Sequence, residues 1–300
     1  MKLINSGKNL KTKIPFYLTF DLEDISHDLL YQINSNKSLL IREKSIFKSY
    51  EKLKEIIEKI YDNKKITIFT TGILAEKFPD MIKQISLDGH EIACHHFFHD
   101  KIYNKNQDDF AKDLDIAINA IENACGSAPV GYRAPFFSIN QESIWAYEEI
   151  SKRFKYDSSF RTSQALNSQK LNKTFKFENS SLYEFYIYEK KYLFNNIKIK
   201  AGGSFFRLFS KKIMKDVLEE SYKADFIPII YLHPYDILTK KEFWLKLSDF
   251  TNCKSKDKFL YWLKQNQWHC MGNKSINNKL EYLKDYFEHI GKMCDHKDIN

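Results

Sequence analysis

The sequence predicts a parallel α/β fold, and two observations carry that reading. Short apolar segments alternate with stretches of helical periodicity, and the polar residues with chemical capacity fall just after the apolar segments. At 300 residues and 43% hydrophobic, the chain is long enough to bury a sizeable core.

The first unit runs from "PFYLTF" (15–20) to "KITIFT" (65–70), with Ile46, Tyr50, Leu53, Ile57 and Ile60 making a helical stripe between them. "EIAC" (91–94) is the next strand, and Phe110, Leu114, Ala117, Ile121 and Ala124 repeat at helical spacing behind it. Gly126 sits where a C-terminal cap belongs, and a further strand opens at "PVGYR" (129–133). Ile144, Tyr147 and Ile150 mark a helix before "FKYDSS" (154–159), and Ile213, Val217 and Leu218 mark another before "FIPIIYL" (226–232). The polar stretch 161–181 reads as a long loop or lid, and Ile276, Leu280, Leu283 and Phe287 as a late amphipathic helix. With no internal repeat and no clear linker, one domain over residues 1–300 is expected.

Five cysteines, an odd set without a C-x-x-C pair, argue against a disulfide framework or a zinc ribbon and fit a reducing compartment. The N-terminal stretch has no apolar run of signal length and no segment reaches the roughly 20 apolar residues of a membrane span, so a cytoplasmic enzyme is expected. The excess of 47 basic over 39 acidic residues is spread along the chain without a recognition motif, and nucleic acid is not an expected partner. A peripheral membrane contact stays open. "AGGSFF" lacks the spacing and following helix of a dinucleotide site.

Asp21, His95, Arg133, Asp157 and His233 each follow a predicted strand, the edge that carries the active site in parallel α/β folds. Four of the nine histidines lie in "GHEIACHHFFHD" (89–100). His95 and His99, four apart, can face one metal ion, and a carboxylate would complete a two-His, one-carboxylate set. "TFDLED" (19–24) supplies candidates: if Asp21 ends the strand, Glu23 lies on its side by period-two alternation, whereas Asp24 points away unless the chain turns. Glu23 is the expected third ligand, Asp24 the alternative, and Asp21 the free carboxylate. A metal-assisted hydrolase needs this division, because the ion acidifies water and polarises a carbonyl while a separate base takes the water's proton. A departing amine then needs an acid. His233 suits that task with an ordinary pKa near neutrality, and Arg133 would hold Asp21 ionised.

Through "YLTFDLED", "ITIFTTGILAEKFPDMIKQISLDGHEIACHHFFH", "GYRAPFFSI", "YDSSF", "AGGSFFRLF" and "YLHPYDI", in that order, the chain resembles the polysaccharide deacetylases, also called NodB-like enzymes or carbohydrate esterase family 4. "GNKSINNKLEYL" is similar to the tail of bacterial members associated with exopolysaccharide synthesis. The resemblance implies a distorted (β/α)7 barrel over about residues 14–240, a C-terminal helical extension over about 241–300, and removal of an N-acyl group, most simply acetyl, from an amino sugar of a cell-surface glycan or its precursor. It makes Asp21 the base, His95 and His99 the histidine ligands, Arg133 the brace of the base, His233 the acid and Asp157 the residue that tunes it. The Phe136 backbone N–H would help bind the tetrahedral oxyanion. The chain departs from the family pattern in D-L-E-D, where many members have adjacent aspartates, and in His96, Tyr235 and Asp236.

Zinc is the first expectation for an ion that supplies Lewis acidity without redox change, and Fe2+, Co2+, Ni2+ or Mn2+ would suit the same set. The substrate's carrier, nucleotide-linked or lipid-linked, stays open. His90 is expected to hydrogen-bond at the strand entrance, His96 to sit behind the ligands or face substrate, and Cys94 to be a small buried hydrophobe. Phe97, Phe98, Phe136, Phe137 and Tyr235 are the aromatics placed to stack on sugar rings or to pack. Two rivals share the constellation: a non-haem iron oxygenase, which leaves Asp21, Arg133 and His233 without a task, and a glycan-binding protein that has lost catalysis.

Overall fold

The computed structural model describes residues 12–24, 43–164, 171–192, 197–238, 243–250, 255–268 and 271–299. Its strands, numbered in chain order, are β1 (Ile14–Leu22), β2 (Thr67–Thr70), β3 (Glu91–Cys94), β4 (Gly131–Tyr132), β5 (Tyr156–Asp157), β6 (Thr174–Lys176), β7 (Ser181–Glu184), β8 (Lys190–Lys191), β9 (Lys198–Ile199), β10 (Ile229–Leu232) and β11 (Phe287–His289). The main sheet runs β10-β1-β2-β3-β4-β5-β7-β6, parallel throughout except for β6 against β7.

Period-two alternation in β1 explains how the sheet makes two cores. Phe16, Leu18, Phe20 and Leu22 are fully buried in the layer shared with the helices, while Tyr17 joins an inner aromatic cluster with Phe69, Tyr156, Tyr183 and Tyr231. The sheet curls around that inner cluster. A parallel bridge Arg161–Ile187 continues the pairing beyond β5, and another, Gly202–Tyr231, brings the 201–203 segment against β10. Only glycine fits there, because a Cβ on Gly202 would stand 2.3 Å from the Tyr231 ring.

The predicted stripes form their helices. Glu43–Tyr61 buries Ile46, Tyr50, Leu53, Ile57 and Ile60, and Gln107–Cys125 buries Phe110, Leu114, Ala117, Ile121 and Ala124. The second helix opens on Asn106, whose side chain accepts from the Asp109 N–H at 2.8 Å, and closes on Gly126 in the left-handed region at φ 81°.

Three expectations need correcting. Ile144 is exposed ahead of the helix Ala146–Ser151, because a short 3-10 turn at Gln141–Ser143 shifts the helical frame. The supposed loop 161–181 contains a turn at Thr162–Gln164 and strand β6; residues 165–170 of it lie outside the described residues. Phe287 does not continue the helix Ile276–Leu283 but starts β11, where pairing with β1 outweighs helical continuation.

That last strand begins a polar floor beneath the inner cluster. His289 Nδ1 accepts from the Leu18 N–H at 3.2 Å, which leaves its Nε2–H to donate to the Lys65 carbonyl at 3.0 Å. Burial holds this neutral imidazole down at about 4. The Cys294 N–H at 3.0 Å and the Tyr156 hydroxyl at 2.7 Å both donate to buried Glu91.

Candidate active site

The alternation that sends Tyr17 inward also sends Thr19 and Asp21 inward, and continuation past Leu22 brings Glu23 to the same mouth. β1 runs through Leu22 instead of ending at Asp21, so Asp21 is held within the ladder.

Arg133, fully buried at the end of β4, binds Asp21 through Nη1 at 2.6 Å. The same nitrogen donates to Thr19 Oγ1 at 2.9 Å, and Nη2 donates to Ser158 Oγ at 2.9 Å. The guanidinium lies 4.0 Å above the Phe69 ring. A buried ion pair repays its desolvation only when the remaining donors are satisfied, and these contacts do so.

β3 delivers His95, and the turn after it delivers His99. Both rings are buried, with their Nε2 atoms 3.1 Å apart. His95 Nδ1 lies 2.7 Å from the Arg133 carbonyl oxygen, so the proton belongs on Nδ1 and the lone pair on Nε2. Burial disfavours the charged ring and lowers its pKa. Glu23 Oε2 lies 3.3 Å from His95 Nε2 and against His99 Nε2, yet it is buried without a hydrogen-bond partner. Burial opposes the Glu23 charge, but His99 and His233 outweigh it and hold the carboxyl well below the usual range. Ligand atoms of Glu23, His95 and His99 all lie within 4.8 Å of one another. An unsatisfied carboxylate oxygen facing an imidazole lone pair fits a divalent cation. Asp24 is buried but belongs to no such group among the described residues.

His233 stands at the end of β10 with Nε2 3.9 Å from Asp21 Oδ2. Its expected partner, Asp157, is not its partner. His233 Nδ1 bonds Asp236 Oδ2 at 2.7 Å, and Asp236 is tied in turn to Arg207 Nε at 2.7 Å. Burial alone would lower the His233 pKa, but Asp236, Glu23 and Asp21 together outweigh it and the net shift is upward. Asp157 is turned away by its place in β5: it takes the Ser159 hydroxyl at 2.7 Å and pairs across the strand with Glu184. Burial raises both carboxyls. Ser159 Oγ then accepts from the Ala134 N–H at 2.7 Å, so Asp157 anchors the Arg133–Phe137 turn and has no contact with the acid. Asp236 was missed, although H-P-Y-D carries a signal: Pro at the first helical position and an acid two residues on form a capping box with His233.

The aromatics divide unevenly. Phe136, 42% exposed at φ 57°, lies 4.6 Å from the His99 ring and can meet a ligand. Phe137 is buried against Tyr231, and Tyr235 is buried with its hydroxyl donating to Glu23 Oε1 at 3.1 Å, so neither is a free platform for sugar. Phe98 is partly buried, edge-on to Phe97 at 4.4 Å. His96 is also withdrawn, stacked on Phe110 and 3.5 Å from Asp113. His90 accepts from the Ile66 N–H at the strand entrance, as expected, and Cys94 is buried, its thiol pushed up to about 12 by burial.

Residues 48–154 match the family model described as polysaccharide deacetylase, a span containing His95, His99, Arg133 and Phe136. A peptidoglycan deacetylase-like protein of Gibberella zeae is 33% identical over 108 residues, covering 36% of this chain and 31% of that protein. A peptidoglycan-N-acetylglucosamine deacetylase of Bacillus cereus is 31% identical over 97 residues, covering 32% of this chain and 35% of that protein. The chain thus spans about a third of the length of these relatives. A solved structure from Mycobacterium smegmatis, described as a polysaccharide deacetylase, superposes with a TM-score of 0.53 at 18% identity over 93% of each chain, which shows the fold.

Proposed function

We propose, from the match of residues 48–154 to the polysaccharide deacetylase family model, that the chain is a divalent-metal-dependent hydrolase removing an N-acyl group, most simply acetyl, from an amino sugar of a cell-surface glycan or its precursor. One observation carries this reading: a buried Glu23–His95–His99 group lies beside the Arg133-fixed carboxylate of Asp21, with His233 3.9 Å from that carboxylate.

Zn2+, the first choice, would be held by Glu23, His95 and His99 and would supply Lewis acidity toward the amide carbonyl. Asp21, paired with Arg133, takes a proton from the attacking water as its oxygen bonds to the carbonyl carbon. The Phe136 N–H receives the oxyanion. His233, its Nδ1 held by Asp236, gives the Nε2 proton to the amine nitrogen as the C–N bond breaks, releasing carboxylate and free amino sugar. Cys94, Cys125 and Cys294 are free thiols, which suits work in the cytoplasm on a nucleotide-linked or lipid-linked precursor.

The test is release of acetate from N-acetylated sugars of oligomeric, nucleotide-linked and lipid-linked types, with and without chelator. Chelator-sensitive release is expected. Oxygen-dependent turnover would move the site to the oxygenases, and binding without turnover would make the chain a glycan-binding protein.

A further inference from the structure

A second His/Asp group lies behind the first. Ligand atoms of His96, Asp100 and Asp113 also fall within 4.8 Å of one another, which on residue types alone looks like another cation site. A cation is already there: Lys105 Nζ lies 2.9 Å from Asp100 and 2.6 Å from Asp113. All three side chains are largely withdrawn from solvent, between 14% and 20% exposed, so their mutual attraction is little screened.

The place of this group in the chain gives it a task. The turn from β3 must present His95 and His99 to one point, and it does so with His96 at φ 64° and His99 at φ 60°. Such conformations are costly for non-glycine residues and persist only where neighbours over-determine them. Upstream, the Gly72 and Ile73 N–H groups hold the His96 and Phe97 carbonyls at 2.8 and 3.1 Å. The His96 ring stacks on Phe110 of the helix Gln107–Cys125, at 5.4 Å between centroids. Asp113, one turn further along that helix, meets both His96 and Lys105. Lys105 then reaches Asp100, the residue bonded directly to His99.

We propose that Lys105, bridging Asp100 and Asp113, is a tethered cation that locks the His95–His99 turn to the helix Gln107–Cys125 and so positions the two imidazoles for metal binding. The inference rests on the reading of Glu23, His95 and His99 as a metal centre. Lys105 is a positioning residue, since its ion pairs are with Asp100 and Asp113.

Zn2+ titration by calorimetry and amide hydrogen exchange of the full chain test it together. Wild type is expected to bind one Zn2+, and Lys105→Met to bind it about tenfold more weakly, the lower end of what losing a direct outer partner of a ligand costs. Lys105→Arg, which keeps the charge, should recover affinity to within a few-fold. Exchange in Lys105→Met should rise over residues 95–101 and stay level in β1 and β10. If that variant does not fold, Asp100→Asn serves, with the same direction expected. Unchanged exchange over 95–101 and unchanged affinity would overturn the proposal, as would a second Zn2+ bound by wild type and lost in Asp113→Asn, because an ion would then hold the place given to Lys105. A wild type that binds Zn2+ but releases no acetate would sink the hydrolase reading and leave this one standing. A wild type that binds no Zn2+ would overturn it as well.

Discussion

Asp236, three residues after His233, receives both the backbone N–H and the Nδ1 of that histidine, at 2.9 and 2.7 Å. One carboxylate therefore fixes the ring's orientation and favours its protonated form. Asp236→Asn should lower turnover at neutral pH about tenfold or more and move the alkaline limb of the pH-rate profile to lower pH, because the acid form of His233 loses its stabilising charge. Asp157→Asn should leave that limb where it is, and a shift in the Asp157 variant would restore the pairing that the geometry rejects.

Glu23→Ala, His95→Ala and His99→Ala should each lower bound metal and activity together, as measured by elemental analysis and acetate release, since two remaining ligands hold the ion poorly. Asp24→Ala should keep the metal. Tyr235→Phe removes a hydroxyl 3.1 Å from Glu23 Oε1 and should weaken metal binding about tenfold without emptying the site.

Asp21→Asn should keep the metal and lose on the order of a hundredfold or more in turnover, the scale of general-base catalysis. Loss of metal in this variant would make Asp21 a ligand. Arg133→Met carries a different cost: it strands a buried carboxylate and should destabilise the fold by about 3–5 kcal/mol, read by denaturant unfolding.

The floor makes a pH prediction. His289 titrates at about 4 in the folded chain and near 6.5 when unfolded, so the unfolded state binds the extra proton between those values. Its contribution is present above pH 6.5 and lost as pH falls toward 4, by about 3 kcal/mol at most. The raised carboxyls Asp157 and Glu184 act in the opposite sense, so the comparison must be differential. His289→Asn should be less stable than wild type at pH 7.5 and lose less stability between pH 6.5 and 4.5. Equal slopes would remove His289 from the acid response.

Much of this was legible in the sequence because two periodicities carried it. The helical stripes at 46–60 and 110–124 give the layer outside the sheet, and period two from Tyr17 through Glu23 separates core residues from site residues. The expected bond of Arg133 to Asp21 and the grouping of Glu23 with His95 and His99 have their counterparts in the geometry. What the sequence hid were contacts made by direction. Asp157 reads as following a strand, as a mouth residue does, but it lies within β5 and its side chain is claimed by Ser159 and Glu184. Phe137 and Tyr235 sit in mouth segments, and only their packing shows that they face inward. Phe287 matched a helical stripe by spacing, and only the free edge of β1 explains why it became a strand.

The β1–β11 pairing also constrains how the chain is made. Leu18 donates to a histidine 271 residues away, so the first strand described cannot satisfy its lower half until the chain has emerged as far as His289. Contacts of such span are slow to form, because the loop must be closed before the pairing rewards it. During synthesis the nascent protein would hold a strand whose flank stays open until His289 arrives.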